Sequence, residues 1–383
     1  MTDTWWKDVD ELVPEQAGLL DVDENKSLLI NGPPGSGKTN LLLLRANQLY
    51  LGEMPNLHIV VFGSLLKQFI KIGGAQYSFP AEKVVTHAKL FNDILRAEGI
   101  GVDDGSMSLD AARAERASRM QELVDTGAVG VQFEALLLDE AQDYTSQEIL
   151  LMRSLANVFV AAADSRQRIY AVQDCTNTLE QCTDEVYPLK YHFRNGLEIC
   201  RAADGVLKGD ASYTSLLKYS NYKESDYPSK CTPIGGLSLD EQVVEMAQRI
   251  KDQQFAYPNE LIGVLCPRNE ELDYIQSALG GLGLSSVTTR ANSSEFDATK
   301  PIWLSTLTAA KGLEFRVVHI AGLDFLHRMG GAQKRLIYTG ITRAKTSLSL
   351  YWHKSIPGYL ESALAFAYPQ KAPVSKKQIF GKQ

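Results

Sequence analysis

Residues Gly32 to Thr39 read Gly-Pro-Pro-Gly-Ser-Gly-Lys-Thr and match the pattern G-x-x-x-x-G-K-[ST] at every fixed position. These residue types suit the holding of a phosphate chain. Gly35 and Gly37 let the backbone turn until successive N–H groups converge on anionic oxygens. A helix N-terminus behind them would add its positive end. Lys38 would place a point charge on the outer phosphates, and the Thr39 hydroxyl is a hard ligand for Mg²⁺. Gly32, Pro33, Pro34, Gly35, Ser36, Gly37, Lys38, Thr39 and Asn40 are therefore candidate nucleotide-binding residues. Far downstream, Asp139-Glu140-Ala141-Gln142-Asp143 closes an apolar run. Asp139 can share a Mg²⁺ with Thr39, and Glu140 can take the proton of an attacking water. The implied chemistry is the binding and hydrolysis of a nucleoside triphosphate.

Such a site needs a strand, a tight turn and a helix in that order. Leu28-Leu29-Ile30 predicts the strand, and Asn40 to Tyr50 predicts the helix. Further buried strands are predicted at His58 to Phe62, Lys83 to Thr86, Ala135 to Leu138 and Val158 to Ala163, the last ending in Asp164. Residues 105 to 127 are rich in Ala, Arg and Glu and predict a helix. Arg113, Arg116 and Arg119 recur on one face of it, but Glu115 and Glu122 are interleaved, so the expected reading is a solvated face. From about residue 190 the alternation starts again. Strands are expected at Leu261 to Cys266, Ile302 to Leu304, Arg316 to Ile320 and Ser347 to Tyr351. A helix is expected over Glu241 to Gln253, with Ser238 and Glu241 as its capping box. The fold class is α/β, with two doubly wound, parallel-sheet domains in series. The expected division is 1–188, with a small helical insertion at about 90–130, then 189–368, then a basic tail at 369–383.

The 383 residues carry 44% hydrophobic and 22% charged residues, as an ordinary soluble protein does. No apolar run approaches the length of a membrane span, and Met1 to Leu12 is acidic and has no signal-peptide core, so no membrane partner is expected. The cysteines Cys175, Cys182, Cys200, Cys231 and Cys266 are odd in number and include no C-x-x-C pair. That argues against a zinc site or a disulfide framework and for a cytoplasmic setting. With a net charge of −7, any grip on nucleic acid must come from a local groove.

In its motifs the chain resembles superfamily 1 helicases of the UvrD/Rep kind, from about Gln16 to Arg343. Leu12-x-x-Glu15-Gln16 resembles the family's adenine-reading glutamine motif, and Asp139 to Asp143 its second motif. Asp164-x-x-Gln167-x-Ile169-Tyr170 is similar to the third, and Leu189-x-x-His192-Phe193-Arg194 to the fourth. Thr306-x-Thr308-x-Ala310-Lys311-Gly312-Leu313-Glu314-Phe315 resembles the fifth, and Tyr338-x-x-x-Thr342-Arg343-Ala344 the sixth. The resemblance implies two RecA-like domains with ATP and Mg²⁺ between them. It adds Gln167, Arg194 and Arg343 to Lys38 and Glu140 as catalytic candidates, and Gln16, Phe193 and Glu314 as nucleotide contacts. Both arginines would cross an interdomain cleft to the γ-phosphate, so that hydrolysis follows closure.

The resemblance also implies single-stranded DNA, or RNA, along Ser64, Tyr170, Arg268, Thr306 and Thr308, near the Lys311-Gly312 turn. Here the sequence departs from the family. Ala171-Val172-Gln173 stands where a base-stacking tryptophan follows the third motif, and such a ring is worth ~1–3 kcal/mol. Thr308 replaces a histidine, Gly63-Ser64-Leu65 replaces a Thr-Asn, and Val287 and Ile302 leave no room for the second domain's usual insertion. Two functions stay open: an ATP-dependent helicase or translocase on single strands, and an ATP-driven switch that signals to a protein partner.

Overall fold

The structure, a computed structural model, describes residues 9–63, 67, 77–102, 107–164, 175–210, 213–291, 296–328 and 333–367. Ser64, Gln167, Tyr170 and the tail at 369–383 lie outside these residues, so their expected roles have no structural counterpart here.

Apolar runs without polar alternation are covered on both faces, which is the condition of a parallel sheet. The first six strands are β1 (Leu28–Asn31), β2 (Leu57–Val61), β3 (Val84–Thr86), β4 (Phe133–Leu138), β5 (Ala156–Ala163) and β6 (Glu185–Pro188). They form one sheet in the order β3-β2-β4-β5-β1-β6, and every pairing is parallel. Successive side chains go to opposite faces. Leu28 and Ile30 join one buried cluster while Leu29 joins another, and Leu137 and Leu138 divide in the same way. Full burial of each such side chain contributes about 1.5–3 kcal/mol.

The second sheet contains β7 (Lys230–Ile234), β8 (Ile262–Cys266), β9 (Thr288–Arg290), β10 (Ile302–Thr306), β11 (Phe315–Ile320) and β12 (Ala344–Tyr351). Its order is β7-β12-β11-β8-β10-β9, again parallel throughout. The architecture is α/β, with two six-stranded parallel sheets in tandem. Helices His87–Ala97 and Leu109–Asp125 lie between β3 and β4 and pack on each other, where the helical insertion was expected. Helix Leu239–Ala256 opens on the expected capping box, with reciprocal bonds between Ser238 and Glu241.

The arginine stripe departs from expectation. Arg119 alone follows the solvated reading, among Glu115 and Glu122. Arg116 is buried, and Arg113 pairs with Glu148 and donates to the Asp143 carbonyl at 2.8 Å. Its carboxylate partner lies 35 residues away in the chain, beyond the reach of a helix-face pattern.

The crossover between the sheets is short and closely bonded. Leu189 donates its N–H to Asn31 at 2.7 Å, Phe193 to Gly35 at 2.9 Å, and Asn195 Nδ2 to the carbonyls of Thr342 (2.9 Å) and Ala344 (2.6 Å). No helix among the described residues is long and apolar enough to cross a membrane.

Candidate nucleotide site

The loop after β1 takes the shape its glycines permit. Gly35 and Gly37 have φ of 75° and 89°, in the left-handed region that side chains avoid, and helix Lys38–Leu51 starts directly behind them. Lys38 Nζ donates to the carbonyls of Gly32 and Pro33, each at 2.9 Å, so its charge sits over the loop. Thr39 Oγ1 donates to Asp139 Oδ2 at 2.9 Å, which brings together the two expected Mg²⁺ ligands. A hydroxyl and a carboxylate, both hard oxygen donors, suit that ion. Gln16 is buried and donates Nε2 to the Ser36 carbonyl at 2.9 Å, so it braces the loop backbone. Asn40 accepts from the Tyr77 hydroxyl at 3.1 Å.

The second motif follows β4. Glu140 has φ of 49°, rare for a residue with a side chain, and its carboxylate accepts from Gln142 Nε2. Gln142 Oε1 in turn accepts the N–H of Asp164 at 2.9 Å, which links the ends of β4 and β5. Burial and the adjacent Glu140 charge push the Asp139 carboxyl up to about 7. For Glu140, burial acts upward, but Lys311, Lys38 and Arg343 outweigh it and hold the group below its ordinary value. Burial also lifts Asp143 to about 6, with Lys311 pulling the other way.

The arginines arrive from the other side. Arg194 packs so closely on the loop that a Cβ on Gly35 would lie 2.5 Å from Arg194 Cβ. Its guanidinium pairs with Glu314, is repelled by Arg343, and is attracted by Glu140, Asp164 and Asp139. Arg343 is buried and donates to Thr339 O and Leu313 O, each at 3.0 Å, while Glu140 and Asp164 attract it. The sequence predicted contact only after closure, yet Arg194 already lies against the loop. The Glu314 carboxylate is taken by Arg194, with Lys345 at 4.0 Å.

The nucleic-acid candidates are less assembled. Arg268 is bound to Glu271 and Glu270 and lies over the Phe325 ring at 4.8 Å, so its guanidinium is committed to its own helix and not to a groove. Thr306 Oγ1 accepts the Ala309 N–H at 3.2 Å, and the Thr308 carbonyl accepts that of Lys311 at 3.3 Å; both wind a turn. That turn points Lys311 inward, onto Asp143 at 2.7 Å and 3.7 Å from Glu140. Lys311 thus faces the carboxylates and not the expected path of a nucleic-acid strand, because residue order carries no information about side-chain direction.

Residues 301–351, which hold Lys311, Glu314 and Arg343, match the family model of the UvrD-like helicase C-terminal domain. The likeness to a UvrD-like helicase is carried by that stretch of the second sheet. No curated protein matches the chain. Among solved structures, the PRRSV helicase is similar at 16% identity and a TM-score of 0.40, over 87% of this chain and 54% of that one. The C-terminal domain of a possible DNA helicase from Lactobacillus plantarum WCFS1 is similar at 17% identity and a TM-score of 0.33, over 45% of this chain and 93% of that one.

Proposed function

We propose that this helicase-like chain hydrolyses ATP, with Mg²⁺, where its two sheets meet, and couples hydrolysis to single-stranded nucleic acid, DNA first. The observation that carries the reading is the meeting of Lys38, Thr39, Asp139 and Glu140 from one sheet with Arg194 and Arg343 from beside the other, around Gly35. In this reading the loop N–H groups and Lys38 hold the phosphates, and Glu140 accepts the proton of the attacking water. The arginines receive the charge that spreads over the transferring group. Mg²⁺, when bound by Thr39 and Asp139, supplies neutralisation of the β- and γ-oxygens. The cavity of about 250 Å³ beside Pro33, with Lys190, His192 and Tyr219 in its wall, gives the base room against the loop. Domains of 1–188 and 189–368 belong to the same reading, since β6 ends at Pro188. So does a cytoplasmic setting, where ATP, Mg²⁺ and reduced thiols are at hand.

A second reading, the ATP-driven switch for a protein partner, draws support from Arg268, whose charge is spent within its own helix. Steady-state ATP hydrolysis with and without single-stranded DNA and RNA separates the two. Turnover that rises with a strand is the expected result. Turnover indifferent to both strands favours the switch, and no turnover at all removes the ATPase reading.

A further inference from the structure

Lys311 stands on the second sheet's side of the boundary, while the groups it meets stand on the first. The turn between β10 and β11 is wound by Ala310 N–H to Thr306 O (2.9 Å) and Leu313 N–H to Ala310 O (3.1 Å). Gly312, at φ of 82°, allows the chain to double back directly after the lysine. The ammonium is thereby carried into a buried place, with the side chain only 6% exposed. There it bonds Asp143, itself 2% exposed, and lies near Glu140. Asp143 does not swing freely. Its N–H donates to the Glu140 carbonyl at 3.0 Å, and its own carbonyl is held by Arg113 from the helical insertion. A pull on Asp143 is therefore a pull on the loop that keeps Glu140 in its uncommon backbone conformation.

We infer that Lys311 is a positioning residue: through Asp143 it holds the Glu140 loop from the second sheet, and so ties the two sheets together at the reacting end. The inference deepens the ATPase reading and rests on it for the role of Glu140. The tie between the sheets stands without it. A buried ion pair of this kind adds little net stability, because desolvation offsets attraction. Its specificity lies elsewhere. The two carboxylates find this counter-charge only when Lys311 is seated, so the base loop is ordered by the position of the other sheet.

The test uses dyes on cysteines introduced at the exposed positions Leu150 and Val244, one beside each sheet; the native cysteines are free and buried. Single-molecule energy transfer without nucleotide should show a longer or broader inter-sheet distance in Lys311→Met than in the parent. Lys311→Arg should keep the parent distribution. Where the parent hydrolyses ATP, Lys311→Met should lower kcat by about tenfold or more while KM for ATP moves by less than about twofold. Asp143→Asn should reproduce the loss, and the double variant should be no worse than the poorer single one, as for two halves of one contact. Unchanged distance with unchanged kcat in a folded Lys311→Met overturns the inference, as do additive losses in the double variant. If Lys311→Met does not fold, Asp143→Asn carries the same two measurements. A parent without ATPase activity sinks the functional reading and leaves the distance measurement to decide the tie.

Discussion

The two sheets bring opposite charge to their common boundary. The first supplies Asp139, Glu140, Asp143 and Asp164 at its strand ends, with Lys38 on its loop. The second supplies Lys311 and Arg343, and the crossover adds Arg194. Neither side is balanced alone. Burial and the neighbouring Glu140 charge drive Asp139 towards protonation, and the first side's own Lys38 does not offset them. Glu140, which faces the cations, goes the other way. Closing the sheets and tuning the groups between them are thus one physical event.

Removing charge from the first side should break this arrangement most completely. Lys38→Ala is expected to abolish ATP hydrolysis, while Glu140→Gln should keep bound nucleotide and stop turnover, because Asp139 and Thr39 remain. Filter binding beside a phosphate-release assay separates the two, and a Glu140→Gln variant that cannot retain ATP would show that the acids are wrongly divided. On the second side, Arg194→Ala and Arg343→Ala should each lower turnover by roughly 10³–10⁵-fold with a smaller loss of ATP affinity. The two should differ in stability. Arg343 also donates to the carbonyls of Leu313 and Thr339; that of Thr339 keeps the Thr342 hydroxyl, but that of Leu313 loses this donor, and a buried carbonyl left bare costs about 1–3 kcal/mol. Arg343→Ala should therefore melt well below the parent and Arg194→Ala near it; equal melting temperatures would deny Arg343 its second role.

The smallest effect tests burial away from the boundary. His319 lies inside the second sheet between the Tyr351 hydroxyl and Gln253 Oε1, each at 2.8 Å, and burial, helped by Arg249, pushes it down to about 3. Its unfolded value is near 6.5, so between these values the unfolded chain binds more protons, and stability must fall as the pH falls. Relative to His319→Gln, the parent should lose on the order of 5 kcal/mol across that window and nothing above it. Urea midpoints measured at a series of pH values check this. Parallel curves for the two proteins would show that His319 does not titrate there.

How much of this was legible in the sequence depends on how local each signal was. Gly32 to Thr39 announce their strand, turn and helix within one short stretch, and Asp139 ends a run too apolar to be anything but buried. Strands β6 and β7 gave little signal. Each lies at a sheet edge, Glu185–Pro188 alternates between half-buried and exposed, and β7 contains Pro233, which an edge tolerates. Arg194 and Arg343 stood out only through motif resemblance, since a lone arginine has no pattern. Arg113 and Lys311 were misread because their partners, Glu148 and Asp143, are distant in the chain.

The bonded crossover has a mechanical consequence. Seven residues from Leu189 to Asn195 are fastened at one end to Asn31 and Gly35 and at the other to Thr342 and Ala344. A strap pinned in this way acts as a fulcrum. Any swing of one half against the other must turn about a point beside the phosphate loop, and in a rotation displacement grows with the length of the lever arm. Atoms at Gly35 and Arg194 would then keep their register to within a small shift, while the rims of the two halves travel farthest.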